Sequence, residues 1–155
     1  MNLETTQSQT LAKLTQEISI ILVGTILLTL SAKMVVPFYP VPMSTQTLVV
    51  LGLGLFLGPV RSSLVVVTYL FEGLLGLPVF AGTPPALAGP AYIAGPTGGY
   101  LVGFALAAAA AGWIVQALQG LRPAFRASVA VFLGSIVMYC AGLLWLGGFV
   151  GYGEK

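Results

Sequence analysis

The sequence predicts an all-α protein, a polytopic bundle of transmembrane helices, and three observations support this fold class. Of the 155 residues, 57% are hydrophobic. Only 6% are charged, whereas a soluble globular domain carries about a quarter charged residues. The apolar residues are gathered into five segments separated by stretches rich in glycine and proline. A chain so poor in charge cannot cover a water-exposed surface, so its solvent is predicted to be the lipid bilayer.

Composition also excludes several functions. The net charge is only +2 and the basic residues do not cluster, which argues against a nucleic-acid partner. Histidine is absent and Cys140 is the only cysteine, so the commonest general base and metal ligand is missing and no intrachain disulfide is possible. Glu72 is the only acid within the predicted spans. We therefore expect neither enzymatic activity nor a cofactor or metal in this chain.

The first predicted span covers residues 18–36 and follows an N-terminal segment, residues 1–17, that is predicted to be cytoplasmic. The apolar run is too long for the hydrophobic region of a signal peptide. Cleavage after Ala32 would also place Leu30 where a small residue is needed. We therefore interpret this segment as a retained transmembrane helix.

The second and third predicted spans, residues 45–57 and 62–75, are separated by the sequence GPVR, in which glycine and proline break a helix. Each segment is shorter than the about 20 residues of an ordinary span. The alternative is a re-entrant hairpin, which would bury Arg61 in the membrane at a cost of at least ~2.5 kcal/mol. Two short crossings with Arg61 at the cytoplasmic face are therefore predicted.

The fourth and fifth predicted spans cover residues 100–118 and 127–150, and residues 151–155 form a short tail. The substrate-binding domain is thus predicted to extend over residues 18–150. Both spans are rich in glycine and alanine, including the pair Gly103 and Ala107, and such small residues let helices pack closely in lipid.

The distribution of basic residues predicts that the N-terminus is cytoplasmic. With this orientation only Lys33, which can extend to the interface, and Lys155 lie outside. The basic residues on the cytoplasmic side are then Lys13, Arg61, Arg122 and Arg126.

Two loops are predicted on the outer side, and the longer one, residues 76–99, contains six glycines, five prolines and no charge. It carries apolar residues such as Phe80 and Tyr92, unlike a flexible polar linker. We interpret it as an ordered lid over the bundle; the alternative is a loop that rests on the lipid headgroups.

Helices two and four are predicted to begin on the same side, at the sequences STQT (residues 44–47) and PTGG (residues 96–99). Free N–H groups and the positive dipole end of a helix suit a carboxylate. The prediction is a pocket for an anionic amphipathic solute, although capping of the helices by the hydroxyl groups would also explain these residues.

Several polar or aromatic side chains have two interpretations each. Glu72 is either a functional residue in the outer half of the bilayer or a solvated charge at a helix end. Gln46 either binds ligand or holds the first outer loop. Tyr139 lies in the middle of its span and either lines a cavity or packs. Cys140 is predicted to be a packing residue.

Three sequence strings resemble the BioY family, the biotin-binding S components of energy-coupling factor (ECF) transporters. They are VPFYPVPMSTQT at residues 36–47, YLFEGLLGLPVFAG at residues 69–82 and GPTGGYLVGF at residues 95–104. The resemblance implies a six-helix bundle in a bacterial-type inner (plasma) membrane, with a biotin pocket that opens outward. It also implies partners, namely a membrane coupling subunit and a pair of ATPases, since this chain has no phosphate-binding loop of its own. With the residues singled out above, the predicted binding set is Tyr39, Thr45, Gln46, Glu72, Phe80, Gly98, Gly99, Tyr100 and Tyr139.

The sequence departs from the family pattern at its C-terminal end. The family's sixth helix carries a Gly-Asp-x-x-Lys-like motif, whereas this chain contains no aspartate and ends after the fifth predicted span. Five of six expected helices are therefore visible. Two alternatives to biotin capture remain, an S component for another small vitamin and a membrane subunit that binds no solute.

Overall fold

The computed structural model describes residues 3–36, 43–83 and 88–151. Apart from two short paired strands, the regular structure of these residues is helical, and four of their helices are long and apolar enough to cross a membrane. In chain order the elements are α1 (Leu3–Lys33), β1 (Val35–Val36), β2 (Met43–Ser44), α2 (Gln46–Leu74), α3 (Pro90–Ile93), α4 (Gly98–Ala117) and α5 (Pro123–Val150).

Helix α2 reverses direction at Gly58, where φ is 77° and ψ is 177°. Thr45, which precedes α2, donates its hydroxyl to Ser31 O at 3.1 Å, and Pro78 O, just beyond α2, accepts from Lys33 Nζ at 2.6 Å. Both ends of α2 therefore lie beside the last turn of α1, although a straight helix of this length would span about 43 Å. The chain thus forms a helical hairpin with a first arm, residues 46–57, and a second arm, residues 59–74.

The tip of this hairpin packs against small residues of α4. A Cβ added at Gly54 would lie 2.6 Å from Ala108 O, and one added at Gly112 would lie 2.5 Å from Pro59 N. Ser62 Oγ lies 2.6 Å from Gly58 O and 3.2 Å from Ala108 O. Contact at this distance requires small residues on both helices, as expected for helices that associate in lipid.

Helix α4 is the centre of the bundle, because it packs against α2 on one side and α5 on the other. Ala107, Ala108 and Ala111 on its inner faces are fully buried. Large apolar side chains point outward instead, and Phe56 is 88% and Leu144 71% exposed. In soluble proteins large apolar side chains are mostly buried, whereas here they cover the surface, as expected for a bundle surrounded by lipid.

An ion pair joins α1 to the start of the second arm. Arg61 Nε donates to Glu17 Oε2 at 3.1 Å, and Arg61 Nη2 contacts the other carboxylate oxygen. The two side chains are 49% and 39% exposed. The pair lies near the tip of the hairpin, at the end of the bundle opposite to the start of α2.

Several predicted boundaries differ from those of the structure. Residues from Leu3 onward belong to α1, so most of the segment predicted to precede the first span is helical. Helix α1 ends at Lys33, because Val35 and Val36 pair with Ser44 and Met43 in the two-stranded sheet. The structure has four long apolar helices among its described residues, where the sequence predicts five spans. The difference arises at Gly58, because the segments 45–57 and 62–75, apart from residues 45 and 75, both fall within the folded-back α2.

Candidate functional site

A cavity of about 190 Å³ lies at the end of the bundle where α2 and α4 begin. Its wall is formed by the first arm, by the segment that follows α2, and by helices α3, α4 and α5. Residues distant in sequence therefore meet there. Its lining is mixed, with aromatic and aliphatic side chains beside a few polar groups, as is typical of pockets for small molecules. The lining residues are Ser44, Gln46, Thr47, Ala81, Tyr92, Thr97, Tyr100, Leu101, Phe104, Met138 and Tyr139.

The amide of Gln46 is a deeply buried polar group of this wall. The residue is 3% exposed, and its Nε2 has no hydrogen-bond partner among the described residues. The Tyr69 hydroxyl lies near this amide without forming a hydrogen bond of acceptable geometry with it, and it donates its own proton to Val79 O at 3.1 Å. Leaving a buried donor unpaired costs about 1–3 kcal/mol. A ligand with an acceptor oxygen would remove this cost.

One side of the cavity is built from stacked aromatic rings. Phe80 stacks on Tyr92 with ring centroids 4.8 Å apart, and it meets Tyr69 edge-on at 5.6 Å. The Tyr92 hydroxyl donates to Ala81 O at 2.8 Å. Gly73 admits the Phe80 ring, because a Cβ at this position would lie 2.0 Å from its Cζ atom. Tyr92 and Ala81 thus face the cavity, with Phe80 packed behind them.

The Tyr92 hydroxyl is protonated at neutral pH. Burial raises its pKa above the usual value of 10, and the neighbouring Thr97 offsets part of this effect. The phenol therefore remains a hydrogen-bond donor to Ala81 O under physiological conditions.

The opposite side of the cavity is formed by α4 and α5. Tyr100 and Tyr139 meet edge-on, with ring centroids 6.3 Å apart. Thr47 Oγ1 lies 3.6 Å from Met138 Sδ, which links the first arm to α5. Gly142 leaves room for the Tyr100 ring, since an added Cβ would lie 2.4 Å from it.

The alternative that the hydroxyls cap the two helices holds only in part, because Ser44 Oγ accepts from Gln46 N at 3.4 Å whereas the two threonines form no cap bond. Thr45 and Thr97 occupy the N-cap positions of α2 and α4 without a side-chain cap bond. Thr45 instead donates to Ser31 O in α1. At α4 the N–H groups of Gly98 and Tyr100 donate to nearby carbonyls at 3.1 Å. Fewer free N–H groups are therefore left for a carboxylate than the prediction assumed.

The predicted binding residues fall into two groups in the structure. Gln46, Tyr100 and Tyr139 line the cavity. Phe80 lies behind Tyr92, and the remaining described residues of the set are not on the wall. A Cβ at Gly98 would lie 1.8 Å from Ile93 O, and one at Gly99 would lie 2.2 Å from Trp145 Cβ, so both glycines serve close packing.

Glu72 is half-buried on the second arm and does not line the cavity. Its backbone carbonyl accepts from Leu77 N at 3.2 Å, which fixes the start of the segment after α2. Tyr39 lies outside the described residues.

The remaining lining residues were not included in the predicted set. Part of this group had a sequence signal, because Thr97, Leu101 and Phe104 recur at the spacing of one helix face. Ala81 and Tyr92 lie in the predicted lid, but no pattern indicated which lid residues face the cavity, since the path of their segment depends on contacts with distant residues. The omitted residues are Ser44, Thr47, Ala81, Tyr92, Thr97, Leu101, Phe104 and Met138.

The fold and the cavity define a class, a multi-pass membrane protein with a small-molecule pocket at one end of a helical bundle. Comparison with known proteins gives the family. The sequence profile of the BioY family matches residues 4–154, so the chain belongs to the BioY family. The resemblance carried by the three sequence strings is confirmed.

Several curated relatives share this sequence pattern. The "Probable biotin transporter BioY" of Pyrococcus horikoshii is 35% identical over 139 residues, which cover 90% of this chain and 79% of that protein. The "Biotin transporter BioY" of Thermotoga maritima is 33% identical, with 81% and 71% covered. The "Biotin transporter BioY" of Rhodobacter capsulatus is 37% identical, with 70% of this chain and 57% of that protein covered. The matched regions therefore leave part of each relative's length unmatched.

A solved structure shares the fold. It is the crystal structure of the S-component for biotin from an ECF-type ABC transporter, with a TM-score of 0.72 and 27% sequence identity. The match covers 95% of this chain and 75% of that chain. The predicted S-component-like bundle is therefore confirmed.

Proposed function

We propose that this chain is the membrane-embedded subunit that captures biotin at the outer face and delivers it inward with an ATP-driven ECF module. Membership of the BioY family supports this proposal, as do relatives whose names describe biotin transporters. The solved structure that shares the fold belongs to a biotin S-component. The membrane coupling subunit and the ATPase pair are the proposed partners.

The unpaired amide of Gln46 is the observation that carries the proposal. Biotin is an amphipathic molecule with acceptor oxygens at its ureido carbonyl and its carboxylate. Gln46 Nε2 offers a buried donor to such an oxygen. The aromatic and aliphatic side chains of Tyr92, Leu101 and Phe104 offer apolar contact to the rest of the molecule.

The distribution of charge supports an outward-facing pocket. Arg61 lies near the hairpin tip, and Arg122 and Arg126 lie at the start of α5, so all three are at the end of the bundle opposite to the cavity. Positive residues favour the cytoplasmic side of the membrane. The cavity would then open to the outside, with the N-terminus in the cytoplasm.

Equilibrium binding of tritiated biotin to the detergent-purified chain tests this function. We expect saturable binding that unlabelled biotin displaces and that riboflavin and thiamine do not. Displacement by riboflavin or thiamine would favour an S component for another vitamin. Absence of binding by a chain whose circular dichroism shows intact helices would contradict solute capture and favour a non-binding membrane subunit.

A further inference from the structure

The ammonium group of Lys33 holds the segment that follows α2. This segment, residues 75–83, is the clamp loop. Lys33 Nζ donates to Pro78 O at 2.6 Å and to Phe80 O at 3.0 Å, and it also contacts Thr83 O. The Thr83 hydroxyl lies 3.3 Å from the same nitrogen. One side chain at the end of α1 therefore binds three carbonyl groups of a loop that lies 45 to 50 residues further along the chain.

These contacts with the Lys33 ammonium group determine the conformation of the clamp loop. Among the described residues, Arg61 and Glu17 form an ion pair. Lys33 is bound by backbone carbonyl groups instead of a carboxylate. An ammonium group has three protons, and three carbonyls converge on it. Backbone oxygens from three positions of the loop reach one nitrogen only when the loop adopts this particular conformation.

The clamp loop is also part of the cavity wall. Ala81 lines the cavity, and its carbonyl accepts the Tyr92 hydroxyl at 2.8 Å. Phe80, whose carbonyl is bound by Lys33, stacks on Tyr92 and is fully buried. Lys33 does not line the cavity itself. It acts on the cavity through the loop that places Ala81 and Tyr92.

We propose that Lys33 is a positioning residue that clamps residues 75–83 over the pocket and thereby sets the rate at which a bound solute leaves. Release requires the wall formed by Ala81 and Tyr92 to move. That movement breaks the bonds between Lys33 and the loop carbonyls. The part of this inference that concerns release depends on the proposed function, whereas the part that concerns the loop does not.

Hydrogen–deuterium exchange of the ligand-free chain tests the clamp directly. The variant Lys33→Met keeps the length of the side chain and removes its donors. The amides of Val79 and Thr83, which donate to Leu77 O and Phe80 O, are expected to exchange about tenfold faster. The matched control is Lys13→Met, about 30 Å away on the same helix, which is expected to leave exchange in the loop unchanged.

Dissociation of tritiated biotin tests the consequence for release. In Lys33→Met the dissociation rate is expected to rise about tenfold while the association rate changes less than about twofold. Lys33→Arg retains charged donors and is expected to restore part of the slow release, which a purely structural defect would not show. Thr83→Val removes the hydroxyl that contacts Lys33 and donates to Phe80 O at 2.8 Å, but it leaves the three carbonyl contacts of Lys33, so its effect is expected to be smaller.

The possible results separate the two claims. Unchanged exchange at Val79 and Thr83 in Lys33→Met would overturn the clamp. Faster exchange with an unchanged dissociation rate would overturn its control of release. General acceleration that includes the buried amides of Ala107 and Ala111 would also contradict a local clamp, because it would indicate global unfolding. If the unmodified chain bound no biotin, the proposed function and the release claim would both fail, and exchange would still decide whether Lys33 holds the loop.

Discussion

The Phe80 ring lies parallel to the Tyr92 ring at a centroid distance of 4.8 Å, with 19° between the two planes. This stack joins the segment that follows α2 to the short helix α3. Because Tyr92 lines the cavity and Phe80 is fully buried, the shape of the pocket depends on packing behind its wall.

Replacing Phe80 by alanine removes a fully buried ring from the stack. We expect a loss of about 3 kcal/mol in the free energy of unfolding. The same change should weaken binding, since Tyr92 loses the surface against which it packs. Denaturation of the purified chain in detergent measures the first effect and a biotin titration measures the second. Full stability of Phe80→Ala would show that the stack contributes nothing to the fold.

The absence of a side chain at Gly73 leaves the space that the Phe80 ring occupies. Gly73→Ala would place a Cβ 2.0 to 2.5 Å from three atoms of the Phe80 ring, so we expect destabilisation of about 1–3 kcal/mol. The double variant Gly73→Ala with Phe80→Ala should be less destabilised than the sum of the single changes, because the clash is then absent.

The control for this experiment is Gly52→Ala on the other arm of the same hairpin. An added Cβ at Gly52 meets nothing within 4 Å, and alanine is the better helix former. Its stability should equal or slightly exceed that of the unmodified chain. Additive effects in the double variant would refute the steric explanation for Gly73.

The close approach of α4 to the hairpin tip predicts a larger effect at Gly112. A Cβ there would lie 2.5 Å from Pro59 N and 2.6 Å from the carbonyl carbon of Gly58. Backbone atoms cannot move aside as a side chain can, so Gly112→Ala should destabilise the bundle by about 3 kcal/mol. Gly120→Ala, which meets nothing within 4 Å, is the matched control. Thermal unfolding of both variants in the same detergent decides the comparison.

The ion pair between Arg61 and Glu17 should contribute little to stability. Both side chains are substantially exposed, and exposed pairs are worth about 0–1 kcal/mol because solvent screens them. Glu17→Gln should therefore lower the free energy of unfolding by less than about 1 kcal/mol. A larger loss that persists at high salt would contradict this view of the pair.

The elements of the bundle are more predictable from sequence than the pocket. Apolar run length and glycine–proline breaks predict helices in lipid, and Gly58 lies within the predicted break. The wall residues Ala81 and Tyr92 could not be predicted, since their positions depend on Lys33 and Phe80 contacts between distant segments. The hydroxyl of Thr45 illustrates the same limit, because a local rule predicts a cap whereas the tertiary structure offers it Ser31 O.

The proposed function depends most on the buried amide of Gln46, which is expected to bind an acceptor oxygen of the solute. Its most direct test is an equilibrium titration of tritiated biotin against Gln46→Ala, with the exposed Gln119→Ala beyond α4 as the control. The dissociation constant is expected to rise about tenfold or more in Gln46→Ala, as for loss of a buried hydrogen bond, and to stay unchanged in Gln119→Ala. Equal dissociation constants for the unmodified chain and Gln46→Ala would show that this amide does not bind the solute.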